Sequence, residues 1–354
     1  RRQTRSEKIF EKYGGVESLE SLQMYNKALV QSRSSMSHAS STTIHLQDAH
    51  RTVVNTALEI ALPGFLRADY NSSVRPGARL PGSRAFAATL LDVTLSQRTG
   101  TSSVVVKKYV PNPAVSEEVN TERFHTEVAL MWSLSFHPNV ISLVAYTDEP
   151  RAIITRRYET DLASFLHNEG DQSPLSSAQL HHLAAGISSG LVAFHSLHVA
   201  HRDLRSSNIL LQAPSGDSKF LTPIISGFNA SRSAEDDIST LRMTRDMRYA
   251  SPLVFDHVAH RYTFWPVEED MESDMYSFGV LLWEMCERRM PWENMTDEDI
   301  GSHVTHGHFL EVNGDSKDSV RFELASIMRQ VFVAETSDRP SASLVNARIN
   351  ALAE

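Results

Sequence analysis

His201-Arg202-Asp203-Leu204-Arg205-Ser206-Ser207-Asn208 is the stretch on which the reading of this chain turns. It sets one carboxylate between two guanidinium groups and places an amide five residues after it. Upstream lie two strand-like apolar runs, VISLVAY at 140–146 and RAIITRRY at 151–158. Before them a helix is expected over 117–135. From 78 to 110 the pattern is that of strands: AFAATLLDV, a turn at Gln97-Arg98-Thr99-Gly100, then SSVVVKKYV. Beyond residue 160 the chain reads as mostly helical. The expected class is α+β, with a small sheet-rich lobe followed by a larger helical one.

The 354 residues suit one large two-lobed domain with an extension. A net charge of −9 offers no clustered basic footprint for nucleic-acid phosphates, so no nucleic-acid partner is expected. The single cysteine, Cys286, permits no internal disulfide and no thiolate cage. Its apolar flanks make it a buried filler in a reducing compartment, which points to the cytoplasm. The longest nearly apolar run, 278–286, falls far below the roughly 18 residues of a membrane-spanning helix. The basic residues at 1, 2, 5 and 8 read either as a solvated terminus or as the cytoplasmic flank of a membrane segment lying upstream.

Residues 1–75 read as a helical extension. Val16, Leu19, Leu22 and Leu29 recur at roughly helical spacing, SRSSMSHASSTT is linker-like, and a second helix starts near Asp48 and stops at Pro63-Gly64. Residues 78–158 form the small lobe and 159–354 the helical one.

The octapeptide fits H-R-D-L-x-x-x-N throughout, and with it the chain resembles the protein kinase superfamily over residues 78–354. The serine-rich loop looks most like the tyrosine-kinase-like branch. The resemblance implies a bilobal kinase fold, ATP as the ligand, and a protein substrate or regulatory protein partner. Phosphoryl transfer asks for positioning of a hydroxyl and electrostatic control of a triphosphate. Asp203 then corresponds to the residue that orients the hydroxyl and accepts its proton, and Asn208 to a metal ligand. Lys107 resembles the strand lysine that holds the phosphates; Lys108 competes for that role but lies on the opposite strand face. Glu127, in FHTEVALMWSL, resembles the carboxylate that fixes the lysine. Thr155 falls at the gatekeeper position, Asp274 corresponds to the residue that bonds back to the catalytic loop, and Arg339 to the arginine that pairs with a glutamate of the activation segment.

Three departures from the family pattern are visible. Where the family has Asp-Phe-Gly, this chain has Gly227-Phe228-Asn229, so the metal-binding aspartate is replaced by a residue with no side-chain oxygen. The glycine-rich loop keeps Gly82, while Arg84 and Ala87 stand at the other glycine positions; Arg84 is a candidate to supply charge over the phosphates. The Ala-Pro-Glu signature has become Ser251-Pro252-Leu253, which leaves Arg339 in need of another acceptor. Mg²⁺ is therefore expected to be held weakly or not at all, and a Gly227→Asp substitution to restore transfer in part. Ser239, Thr240 and Thr244, with Ser231 and Ser233, are candidate phosphorylation sites that would pair with Arg202.

Three readings follow. The first is a pseudokinase that retains ATP and regulates a partner. The second is a working protein kinase with an atypical metal site, acting on Ser/Thr in preference to Tyr although Arg205 points toward the latter. The third is a small-molecule phosphotransferase, which the complete helical lobe counts against.

Overall fold

A computed structural model describes residues 66–80, 85–170, 173–214, 219–233, 246–260, 266–311 and 317–353. The two helices expected before residue 64, with Gly82, Arg84, Ser239, Thr240 and Thr244, lie outside the described residues. The chain divides into two compact units: residues up to Phe136 with Ser142–Arg157, and His137–Ile141 with everything from Tyr158 onward.

In the first unit, α1 (Tyr70–Ser73) leads into β1 (Val74–Arg79), followed by β2 (Ala85–Leu90), α2 (Val93–Thr99), β3 (Ser103–Lys108), α3 (Glu117–Leu134), β4 (Leu143–Asp148) and β5 (Arg151–Arg156). The strands form one antiparallel sheet in the order β1-β2-β3-β5-β4. Side chains alternate across a strand. In β3 this buries Val104 and Val106 completely, against Ala88, Leu90, Val144 and Ile154. The sheet begins earlier than the sequence suggests, since β1 starts at Val74.

The stretch expected to run as a strand to residue 93 and to turn at 97–100 instead holds a helix. Asp92 accepts the backbone N–H of Leu95 at 2.9 Å as an N-cap, and Gly100 closes the helix in the left-handed region at φ 66°. The apolar run LLDV hid this cap. In α3 Ser116 is the N-cap, and Glu117 and Glu118 in the first turn favour the positive end of the helix dipole. The outer edge of β4 is covered by residues 66–68. Ala68 N–H donates to the Tyr146 carbonyl at 2.8 Å and Tyr146 N–H to that of Leu66 at 2.9 Å, a parallel pairing. Arg67 forms an ion pair with Asp148 at 2.6 Å, and Asp148 also meets His125 of α3 at 3.2 Å.

The second unit contains β6 (Thr160–Asp161), α4 (Leu162–Leu166), α5 (Ser177–Ser196), β7 (Val199–Ala200), β8 (Ile209–Gln212), β9 (Thr222–Ile225), β10 (Arg232–Ser233), α6 (Pro252–His260), α7 (Val267–Glu287), α8 (Asp297–Thr305), α9 (Ser319–Val331) and α10 (Ala342–Asn350). Its centre is α7, which buries apolar residues such as Phe278, Val280, Leu281 and Leu282 on several sides and is therefore a core helix. Ser176 and Gln179 cap α5 reciprocally. Cys286, near the end of α7, has its thiol pushed up to about 12 by burial, which fits a filler and not a nucleophile. Among the described residues no helix is long and apolar enough to cross a membrane.

Candidate active site

In the first unit, β3 carries Lys107 between Ala85 of β2 and Ile153 of β5. Its Nζ lies 3.1 Å from Oε1 of Glu127, which projects from α3. Lys108, on the other strand face, sits over the rings of Tyr70 and Phe86 instead. The lysine expected from strand alternation is thus the one that meets the glutamate. Thr155, on β5, is 7% exposed and pairs across the strands with Val105 and Leu143.

In the second unit, the loop between β7 and β8 carries Asp203 and Asn208. The Asn208 amide donates to the Asp203 carbonyl at 2.6 Å and to its carboxylate Oδ2 at 2.8 Å. The other carboxylate oxygen, Oδ1, is 3.4 Å from Nε of Arg205. His201, fully buried, accepts the Asp203 N–H at Nδ1 (3.3 Å), so its Nε2–H donates to the Ser226 carbonyl at 2.7 Å. Asp274 of α7 accepts the backbone N–H groups of His201 and Arg202 at 2.7 and 2.8 Å, and His195 lies 3.2 Å from the same carboxylate. A buried carboxylate on a core helix thereby fixes the start of the loop.

Gly227 follows β9 with φ 91° and ψ 44°, a left-handed conformation that suits glycine. A Cβ there would lie 2.7 Å from Cγ of Asn208. Phe228 is 4% exposed and packs on Phe194 with ring centroids 5.0 Å apart. At this position the chain supplies neither a carboxylate nor any other side-chain oxygen. Among the described residues no set of three or more His, Cys, Asp or Glu side chains is arranged to hold a metal ion.

Two arginines have partners that the sequence did not suggest. Arg202 is buried and pairs with Asp270 of α7 at 3.2 Å, with Nη1 3.4 Å from the Ala230 carbonyl. In the unmodified chain its partner is thus a buried carboxylate, and the candidate phosphorylation sites Ser239, Thr240 and Thr244 lie outside the described residues. Arg339 is 6% exposed. It donates Nε and Nη2 to the Val333 carbonyl at 3.1 and 3.0 Å and Nη1 to that of Glu272 at 3.1 Å, and it lies over the Tyr276 ring. Backbone carbonyls supply the acceptors that Leu253 lacks. Burial still brings the guanidinium down to about 10, against the charge of Glu272 and Glu335.

Two further groups around the loop went unread in the sequence. Asp246 forms a two-pronged pair with Arg248 at 2.8 and 2.6 Å and lies 3.7 Å from Nη1 of Arg205. Burial opposes ionisation of Asp246, but the hydrogen bonds and charge of Arg248 and the charge of Arg205 outweigh it and hold the carboxyl below its ordinary value. Glu284, fully buried, accepts from Ser206 at 2.8 Å and from the Tyr249 hydroxyl at 2.7 Å, and meets His167 at 2.7 Å. The only local signal for the first was an aspartate two residues before an arginine; the second joins residues up to 117 positions apart.

Residues 82–349 match the family model described as protein tyrosine and serine/threonine kinase. The chain belongs to this family. Three Arabidopsis thaliana proteins are similar to this kinase domain. The cysteine-rich receptor-like protein kinase 7 is 31% identical over 214 residues, covering 58% of this chain and 30% of the relative. The serine/threonine/tyrosine-protein kinase HT1 is 31% identical over 205 residues, 54% of this chain and 46% of the relative. The serine/threonine-protein kinase CTR1 is 30% identical over 209 residues, 57% and 23%. The matched stretch spans less than half the length of each of these relatives.

Proposed function

We propose that this kinase domain is a pseudokinase of the tyrosine-kinase-like branch. It retains a nucleotide-anchoring lysine, transfers phosphate poorly with Mg²⁺, and acts in the cytoplasm by binding and regulating a protein partner. The observation that carries this reading is the contact of Gly227 with Asn208: where a metal carboxylate is needed, a bare Cα faces an amide already committed to Asp203. Mg²⁺ prefers several anionic oxygens in an octahedral set. With no set of three or more metal-ligating side chains among the described residues, and the Asp203 carboxylate facing Arg205, the residues present do not fit such a site. Losing a preorganised group of this kind costs about 3–4 kcal/mol, on the order of 10²–10³ in rate.

ATP remains a suitable ligand because Lys107 is held by Glu127 with its side chain 35% exposed, so that the ammonium can meet phosphate oxygens. The single cysteine suits a reducing compartment. A second reading, an active Ser/Thr-preferring protein kinase with an atypical metal site, is favoured by one observation: the Asp203 carboxylate and the Lys107–Glu127 pair are both in place. In that reading Asp203 takes the proton of the acceptor hydroxyl while Asn208 holds its carboxylate in orientation.

The deciding experiment is a thermal shift with ATP, with and without Mg²⁺, run beside a phosphotransfer assay on a general Ser/Thr protein substrate with wild type and Asp203→Asn. An ATP shift indifferent to Mg²⁺ and no transfer above background are expected. Transfer by wild type that Asp203→Asn abolishes would replace the first reading by the second. No shift with ATP under either condition would remove nucleotide binding from the proposal.

A further inference from the structure

The segment joining β3 to α3 is organised by one amide. Asn120, on the first turn of α3 and 3% exposed, uses both ends of its side chain. Its Oδ1 accepts from Asn112 N–H at 2.7 Å and from the Tyr109 hydroxyl at 3.3 Å. Its Nδ2 donates to the carbonyls of Asn112 (3.0 Å) and Ser116 (3.1 Å). The helix start is clasped from the sheet side as well. Arg151 of β5 donates to Thr121 Oγ1 at 2.8 Å, pairs with Glu117, and lies over the Tyr109 ring, which in turn packs on Phe124 at 5.5 Å.

We propose that Asn120 is a positioning residue that keeps Glu127 on Lys107. The proposal rests on the preceding section only for the identity of the ligand that Lys107 serves. Asn120 and Glu127 are seven residues apart, which on an α-helix is about 10.5 Å along the axis and within about 20° of the same face. Any roll of α3 that carried Glu127 away from Lys107 would also draw the Asn120 amide away from the Tyr109 hydroxyl and from the N–H and carbonyl of Asn112, whereas its bond to Ser116 would travel with the helix. Breaking the bonds to Tyr109 and Asn112 would leave buried donors and acceptors unpaired. Tyr109, two residues after Lys107, ties the same amide to the end of the strand that bears the lysine. The helix phase is thereby set from its own N-terminus, within one unit of the chain.

The test reads the state of the Lys107 amine directly and needs no nucleotide, so a failure of ATP binding leaves it intact. The full chain is treated with an amine-acylating succinimidyl ester, and the modification rates of Lys107 and Lys108 are followed by peptide mass spectrometry. Lys108, which lies over the rings of Tyr70 and Phe86 on the other strand face, is the internal reference. Glu127→Gln is expected to raise the Lys107/Lys108 ratio on the order of tenfold, and Asn120→Ala to raise it several-fold. The double variant should rise no further than Glu127→Gln alone, because Asn120 acts through Glu127. A ratio in Asn120→Ala equal to wild type, or effects that multiply in the double variant, would overturn the proposal. Should Asn120→Ala fail to fold, Tyr109→Phe, which deletes one bond to the amide, decides by the same readout: a smaller rise supports the role and an unchanged ratio refutes it.

Discussion

Gly227 and Asn208 are in such close register that a single added carbon at 227 would stand 2.7 Å from the Asn208 Cγ and 2.8 Å from its Nδ2. Glycine there is matched to both the local backbone and the neighbouring amide. Gly227→Asp is expected to lower stability by about 1–2 kcal/mol, the cost of a left-handed conformation with a side chain, and more if Asn208 is displaced from Asp203. Denaturant midpoints of wild type, Gly227→Ala and Gly227→Asp check this. Both variants should fall, and equal midpoints would show that the loop accommodates a side chain without strain. Any restoration of transfer by the aspartate is therefore expected against a less stable background.

Asp274 accepts two buried backbone N–H groups of the His201–Asn208 loop while 1% exposed. Asp274→Ala removes both acceptors and is expected to cost about 3–5 kcal/mol, a large part of a domain's total stability. Asp274→Asn, which keeps one carbonyl oxygen, should cost less. Urea unfolding followed by tryptophan fluorescence measures the difference.

Arg339 satisfies its donors with backbone carbonyls, so restoring the glutamate of the family pattern should gain nothing. Leu253→Glu is expected to leave the unfolding midpoint unchanged or lower. Arg339→Ala, which strands the carbonyls of Val333 and Glu272, is expected to lose about 2–4 kcal/mol. A stabilising Leu253→Glu would indicate that Arg339 leaves its carbonyls for the carboxylate.

The carboxyl of Asp246 is held below its ordinary value in the folded chain by Arg248 and Arg205. A depressed folded value means that this contribution to stability is present above the unfolded value, about pH 3.9, and is lost as pH falls through the folded one. Asp246→Asn is expected to flatten the acid limb of stability against pH over roughly pH 2–5. Midpoints of urea unfolding across that range test it, and an acid limb identical to wild type would dismiss the role of the Arg205–Asp246–Arg248 cluster.

Cys286, with its thiol at about 12, should resist iodoacetamide at pH 8 in the folded chain and react fully in urea. Rapid labelling of the native protein would contradict its placement.

What the sequence disclosed was local or carried by a motif. The start of α3 follows from Ser116 and the acidic residues behind it, and β3 follows from a run of β-branched residues with Lys107 and Lys108 on opposite faces. The α2 helix escaped because LLDV continues the apolar run of β2, and only the pairing of Asp92 with Gly100 marks its two ends. The partners of Arg202 and Arg339 were hidden for another reason. Asp270 is 68 positions beyond Arg202 and Glu272 is 67 before Arg339, and Arg339 bonds to backbone, which no side-chain pattern encodes. The Glu284 cluster was closed to sequence reading in the same way, since its members meet only once α7 is packed.

The pairing of residues 66–68 with Tyr146 bears on where this chain can be cut. A fragment beginning at residue 78 would lose that cover together with the Arg67–Asp148 bond and most of β1. The bared N–H and C=O groups of β4 would then template strand addition between molecules, so such a fragment should self-associate where one that starts ahead of Leu66 stays dispersed.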